Sequence, residues 1–236
     1  MRTRILTALI VLTVVSGANA QAKKAGARST GPVPTGPTAI IDTTAGQMSC
    51  KLFDKQAPIG VETFIGLVEG TKDWKSPTSG KSMKGTPLYN GTIFHRVIPQ
   101  FMIQGGDPAG TGSGQTGLGF GLEIAPGLMF DRPGRLAYAN TGLPNSNGSQ
   151  FFITEVPTPD LNGGYTIFGQ CTPATVALVK KIARAPRDQR PNAGNRPFNP
   201  VKINKITIVR AGKSAAKPAA KKAGGTAKKK PAAATK

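Results

Sequence analysis

Eight short runs of alternating or uniformly apolar residues, at 38–43, 47–54, 92–98, 101–105, 135–139, 150–154, 166–170 and 201–209, do most to restrict what this chain can fold into. Each is flanked by Gly, Pro or Asn, residues that turn a chain sharply, so the pattern predicts short strands joined by tight connections. Only two stretches carry helical spacing. Val61, Phe64, Ile65 and Val68 make one apolar stripe, and Leu178, Val179 and Ile182 the other. The expectation is a mainly β domain over residues 38–210 with two helices. At about 170 residues it is long enough to bury a sizeable core.

Period-two alternation then sorts side chains by face. In 149–154, Gln150, Phe152 and Thr154 fall on one side, and Ser149, Phe151 and Ile153 on the other. In 101–104, Met102 goes with Gln104 and Phe101 with Ile103. Arg96 is expected to share a face with Phe94, and His95 with Ile93 and Val97. A polar and aromatic face of Arg96, Met102, Gln104, Gln150 and Phe152 can therefore stand back to back with an apolar one.

That face comes from two dense motifs, Phe94-His95-Arg96-Val97-Ile98-Pro99-Gln100-Phe101-Met102-Ile103-Gln104-Gly105-Gly106-Asp107 and Asn147-Gly148-Ser149-Gln150-Phe151-Phe152-Ile153. They supply no nucleophile, no acid/base pair and no metal cluster, so the set suits holding and twisting a peptide rather than cutting it. His95 is the only histidine, which leaves Ser-His-Asp, Cys-His and multi-His metal sites short of partners; on an apolar strand face it reads as structural. Gly112-Ser113-Gly114-Gln115-Thr116-Gly117 fits a nucleotide-loop pattern, but no apolar helix follows it, and it reads as a flexible glycine loop. Asn90-Gly91-Thr92 and Asn147-Gly148-Ser149 fit the glycosylation pattern, yet read better as an Asn-Gly turn and as part of the second motif. Nothing calls for a metal, nucleotide or other cofactor.

The two motifs resemble the signature of the cyclophilins, the peptidyl-prolyl cis-trans isomerases, and the resemblance runs from Thr38 to Arg210. It implies a closed eight-stranded antiparallel β-barrel capped by two α-helices. Since such an interior fills with side chains, the site should lie on an outer face. It implies Arg96 as the catalytic residue, with a proline pocket of Phe101, Met102, Gln104, Ala139, Asn140, Gln150, Phe152 and Leu161. Tyr165 stands where many members have histidine and would still close the pocket wall. Asp160 replaces a tryptophan that matters for cyclosporin in many members, so weak cyclosporin binding is expected. Residues 71–87, with the single tryptophan Trp74, are longer than the usual connection and are expected to contact substrate or pack the domain.

The amino terminus reads as an export signal over residues 1–20. Arg2 and Arg4 precede an apolar run from Ile5 to Val15, and Ala18-Asn19-Ala20 supplies small residues before the cut. The run is too short for a comfortable membrane span. The mature chain would start near Gln21 and work outside the cytoplasm, in a bacterial periplasm or cell envelope. Residues 21–37 are expected to be a disordered Pro/Gly/Ala linker, and the Lys-rich stretch 211–236 a disordered tail. Of the formal +20, two charges lie in the signal, three in the linker and eight in the tail, leaving +7 for the domain. The tail would bind polyanions weakly and with steep salt dependence.

Cys50 and Cys171, the only cysteines, leave two readings open, a disulfide closing a loop of about 120 residues or two buried thiols. Three functions follow in order: an isomerase helping exported chains to fold, a proline-peptide clamp with little catalysis, and an envelope or polyanion adhesion protein acting through the tail. The expected partners are unfolded or extended proline-containing polypeptides, and the expected state is a monomer.

Overall fold

The computed structural model describes residues 31–210. In chain order its elements are β1 (Thr38–Thr43), β2 (Gly46–Leu52), α1 (Pro58–Glu69), β3 (Trp74–Lys75), β4 (Ser82–Met83), β5 (Arg96–Ile98), β6 (Met102–Gly105), β7 (Arg135–Tyr138), β8 (Phe151–Thr154), β9 (Ile167–Cys171), α2 (Pro173–Ala183) and β10 (Ile203–Val209), with a 3-10 turn at Pro159–Leu161. Every one of the eight expected runs holds a strand, and both apolar stripes lie on helices. The putting together of these strands gives one antiparallel sheet in the order β10-β1-β2-β9-β7-β8-β6-β5, while β3 and β4 pair as a separate hairpin.

The expectation of a closed barrel needs correction, because the sheet is a curled half-barrel. No ladder joins β5 to β10 among the described residues. The gap is crossed instead by irregular chain before β5: Ile93 bridges Lys202, Gly91 N–H donates to Ile203 O at 2.8 Å, and Phe94 N–H donates to Val201 O at 3.0 Å. β5 spans Arg96–Ile98, and the residues that pair with the β10 side precede it in the chain.

Both helices open on proline, whose missing N–H falls among groups that have no intrahelical partner anyway. Ala57 cannot cap α1, and Glu123 does so from a distant loop, accepting from Ile59 N–H at 2.9 Å and Gly60 N–H at 2.7 Å. Thr172 caps α2 by accepting from Thr175 N–H, while Thr175 Oγ1 accepts from Ser49 N–H at 2.8 Å and docks the helix on β2.

Alternation places Ile103, Leu136, Tyr138, Phe151 and Ile153 in the inner core, and Met102, Ala137, Phe152 and Ile167 in a second, outer cluster. Phe64 of α1 packs edge-on to Phe151 at 5.9 Å and against Phe168 at 5.1 Å. Two phenols are buried there with partners, Tyr89 donating to Ser149 O and Tyr138 to Gly60 O.

Cys50 and Cys171 face each other in the β2–β9 register and form a disulfide, which resolves the two readings in favour of the bridge. Residues 71–87 pack the domain: Trp74 belongs to the inner core, its Nε1–H donates to Thr86 O at 2.9 Å, and Lys75 N–H reaches Thr116 O at 2.8 Å. The last residues of the expected linker are ordered rather than disordered, because backbone pairing holds them along β2, where Gly36 N–H donates to Leu52 O and Leu52 N–H to Pro37 O. The expected signal at 1–20, linker residues 21–30 and the tail at 211–236 lie outside the described residues. No helix among the described residues is long and apolar enough to cross a membrane.

Candidate functional site

Register alone sets a row of side chains across four strands on the outer face. Arg96 of β5 pairs with Gln104 of β6, Gln104 with Phe152 of β8, and Phe152 with Ala137 of β7. Hydrogen bonds then link the polar members. Arg96 Nη1 donates to Gln104 Oε1 at 3.2 Å, Gln104 Nε2 to Gln150 Oε1 at 3.0 Å, and Gln150 Nε2 to Gly112 O at 3.0 Å. With one guanidinium nitrogen committed to this chain, the rest of the half-exposed Arg96 fork is held at a fixed place beside the apolar cluster.

That cluster lies on the same outer face as the polar row. Met102 and Phe152 are buried in it, while Phe101, Ala139, Leu161 and Tyr165 pack against it half-exposed. Phe152 stacks on Phe130 at 5.9 Å, and Tyr165 stands edge-on to both rings. Asn140 sits at the rim, its side chain fixed by donating to Gly164 O and accepting from Gly142 N–H. The structure therefore brings together Arg96 and all nine residues expected around it. Asp160 lies on the 3-10 turn, exposed.

Three facial assignments from alternation are corrected, all at residues outside regular strand. Phe101 packs with the outer cluster rather than with Ile103, because it follows a turn at Gln100, whose φ is 58°, and precedes the first residue of β6. Phe94 lies in the inner core with Val97 rather than beside Arg96, because β5 begins only at Arg96. His95 is buried but not on an apolar face. It lies under Gly112 among Asp107, Arg196 and Arg96, and its pKa is lowered, by burial first and by the two arginines next, against the pull of Asp107.

The glycine loop is pinned rather than flexible. The Asp107 carboxylate accepts from the N–H groups of Ala109, Thr111, Gly112 and Gly114 at 2.7–3.2 Å and from the Thr111 hydroxyl. Burial raises the Asp107 pKa, but these donors outweigh it and hold the carboxyl below its usual range. A Cβ at Gly114 would stand 2.0 Å from Asp107 Oδ1, so glycine is required there. The N–H groups that a phosphate would need are thus already taken by the chain's own carboxylate.

Several contributors escaped the sequence reading. Phe130, Leu128, Phe53 and Ile98 complete the outer apolar cluster. Phe130 is placed by its N–H, which donates to Asn162 Oδ1 at 2.8 Å, and it comes from a long irregular stretch without periodicity. Glu155 shapes the turn before Phe101: its carboxylate accepts from Gln100 N–H at 3.0 Å, its own N–H donates to Phe101 O at 2.8 Å, and Arg184 grips both carboxylate oxygens. Burial raises the Glu155 pKa, yet Arg184 and the Gln100 N–H outweigh it and lower it overall. An acid next to a strand end carries no local signal of such a role.

The outer face of the curled antiparallel sheet thus sets a permanently charged donor beside a cluster of apolar and aromatic side chains. Residues 38–208 match the family model of the cyclophilin type peptidyl-prolyl cis-trans isomerases. Peptidyl-prolyl cis-trans isomerase A of Mycobacterium tuberculosis is 46% identical over 172 residues, covering 72% of this chain and 91% of that protein. Peptidyl-prolyl cis-trans isomerase B of Streptomyces anulatus is 42% identical over 171 residues, covering 72% of this chain and 95% of that protein. Among solved structures, a cyclophilin type isomerase of Cryptosporidium parvum, determined in the presence of the dipeptide Ala-Pro, is 36% identical with a TM-score of 0.58, covering 72% of this chain and 98% of that one. The chain belongs to the cyclophilin family and is a peptidyl-prolyl cis-trans isomerase.

Proposed function

We propose that Arg96 is the catalytic residue of this isomerase and that its substrates are X-Pro bonds in unfolded or newly exported polypeptides. The observation that carries the reading is the Arg96–Gln104–Gln150 hydrogen-bonded chain running beside the Met102 and Phe152 pocket. Amide resonance sets a barrier of ~18–20 kcal/mol, and unaided exchange takes roughly tens to hundreds of seconds. Bringing this to milliseconds requires about five decades, or about 7 kcal/mol. Resonance is lost as the prolyl nitrogen becomes pyramidal, and a guanidinium aimed at that nitrogen favours the twisted state over either planar one. Phe101, Met102, Phe152 and Leu161 would hold the proline ring while Gln104 and the Asn140 backbone hold the preceding carbonyl.

The export pattern at 1–20 supports work outside the cytoplasm, in a periplasm or cell envelope, where the Lys-rich tail would add salt-dependent contact with polyanions. The test of folding assistance is the slow, proline-limited refolding phase of a substrate protein. The full chain is expected to accelerate it and Arg96→Ala to leave it unchanged. An Arg96→Ala protein as effective as the parent would overturn the assignment. Mass spectrometry of the protein recovered from the source cell's envelope should give an amino terminus at Gln21, and an intact Met1 there would remove the export reading.

A further inference from the structure

We infer that an apolar recess on the far side of Asn140 is a second subsite, which seats an apolar side chain of the substrate polypeptide in the extended segment preceding its proline. This rests on the isomerase reading of the main site and extends it to which chains are preferred.

The recess has a volume of about 440 Å³ and is lined by Phe120, Leu122, Leu143 and Pro144, with Asn140 and Gly164 at the edge nearest the main site. Its floor is rigid. The Phe120 ring stands edge-on to Tyr138 at 4.9 Å, its N–H donates to Asn147 O at 3.1 Å, and Asn147 Nδ2 donates to Gly121 O at 2.8 Å. Its rim is built to show an apolar side chain to solvent. Ser146 Oγ donates to Leu143 O at 2.6 Å and accepts from Thr141 N–H, so the loop's polar groups turn onto one another while Leu143 is 70% exposed. Leu122, across the recess, is 51% exposed. Two large apolar residues thus stand exposed on opposite sides of one recess.

The occupant follows from continuity with the pocket. Asn140 also borders a polar recess on its other side, lined by Gln104, Ser113, Gln115, Thr141 and Gln150. Among the described residues nothing pairs with the Asn140 backbone N–H or carbonyl. An extended chain pairing there points successive side chains to opposite sides. One of each pair then meets glutamine and hydroxyl groups, and the other meets Leu122, Leu143 and Pro144.

The test uses X-Pro peptides carrying Leu or Ser at the second, third or fourth position before the proline. Their exchange rates are read by NMR with the full chain and with the double variant Leu122→Ser, Leu143→Ser. Neither leucine belongs to the catalytic or proline-binding set. At one position the Leu peptide should show about tenfold higher kcat/KM than its Ser partner, the usual worth of an apolar group in a pocket. The double variant should lose that preference while handling the Ser peptide unchanged. Equal rates at all three positions, or a preference that survives the double variant, would overturn the subsite and leave the isomerase intact. Acceleration of no peptide would instead overturn the isomerase reading. In that case the Leu143 methyl resonances decide the recess alone: a shift with Leu but not Ser peptides supports it, and no shift removes it.

Discussion

Phe151 and Phe152 are adjacent phenylalanines on β8, 0% and 5% exposed, and they serve opposite faces of one sheet. Phe151 points inward among Phe64, Tyr89 and Phe94, and Phe152 outward between Phe130 and Tyr165. The inner face is held by many elements at once, by both helices, the Trp74 segment and strands from across the half-barrel. The outer face is held by a few specific ties from loops: Asn162 to Phe130, Glu155 to Gln100, and Asp107 to the glycine loop. The contrast shows how one sheet separates its tasks. Packing on one side gives stability, and polar ties on the other fix a small, partly exposed apolar cluster.

The largest effect should come from separating the two phenylalanines. Phe151→Ala should cost roughly 3–5 kcal/mol, because the surrounding rings cannot close over the gap. Its folded fraction should still isomerise peptides normally. Phe152→Ala should cost less stability, since half-exposed Leu161 and Tyr165 can settle inward, yet lose most of its activity. Urea unfolding alongside peptide exchange checks both, and equal activity losses per folded molecule would erase the distinction.

A smaller effect is expected at Glu155. Glu155→Ala should cost roughly 1–3 kcal/mol, the usual range for a lost charged hydrogen bond, and weaken proline-peptide binding by freeing the turn that places Phe101. Gln100→Gly should recover ~1 kcal/mol by relieving the left-handed backbone. Thermal unfolding and peptide titration of the two variants should move in opposite directions; matching losses would show that Gln100 is not strained.

The least effect is a pH dependence from His95. Its folded pKa lies below the unfolded value of 6.5, so the unfolded chain takes up the proton first. Stability should be unaffected above that value and fall as pH drops below it, levelling off past the folded pKa. Denaturation midpoints for the parent and His95→Gln across this window should differ in slope. Identical slopes would mean that other groups set the dependence.

What the sequence made legible follows the same division. Strand runs, both helical stripes and the inward residues Ile103, Phe151 and Ile153 of β6 and β8 could be read because regular period-two and helical spacing governs them. Within the site, Met102, Gln104, Gln150 and Phe152 were legible for the same reason, and Ala139, Asn140, Leu161 and Tyr165 through the family resemblance. The period failed at Phe94, His95 and Phe101, where the chain is not yet strand. It offered nothing for Phe130, Asn162 or Glu155, whose roles arise from loop hydrogen bonds between residues distant in sequence. The half-barrel's seam was equally hidden, since irregular chain before β5 crosses it in place of a strand ladder.

The central claim is that Arg96, fixed by Gln104 at the rim of the Phe152 pocket, drives rotation of the X-Pro bond. The most direct test is the cis-to-trans exchange rate of a short X-Pro peptide, measured by NMR with the parent chain and with Arg96→Ala, both shown to be folded. The account predicts strong acceleration by the parent and its near-complete loss in the variant, with peptide affinity largely kept by the pocket. Full acceleration by a folded Arg96→Ala protein would contradict it.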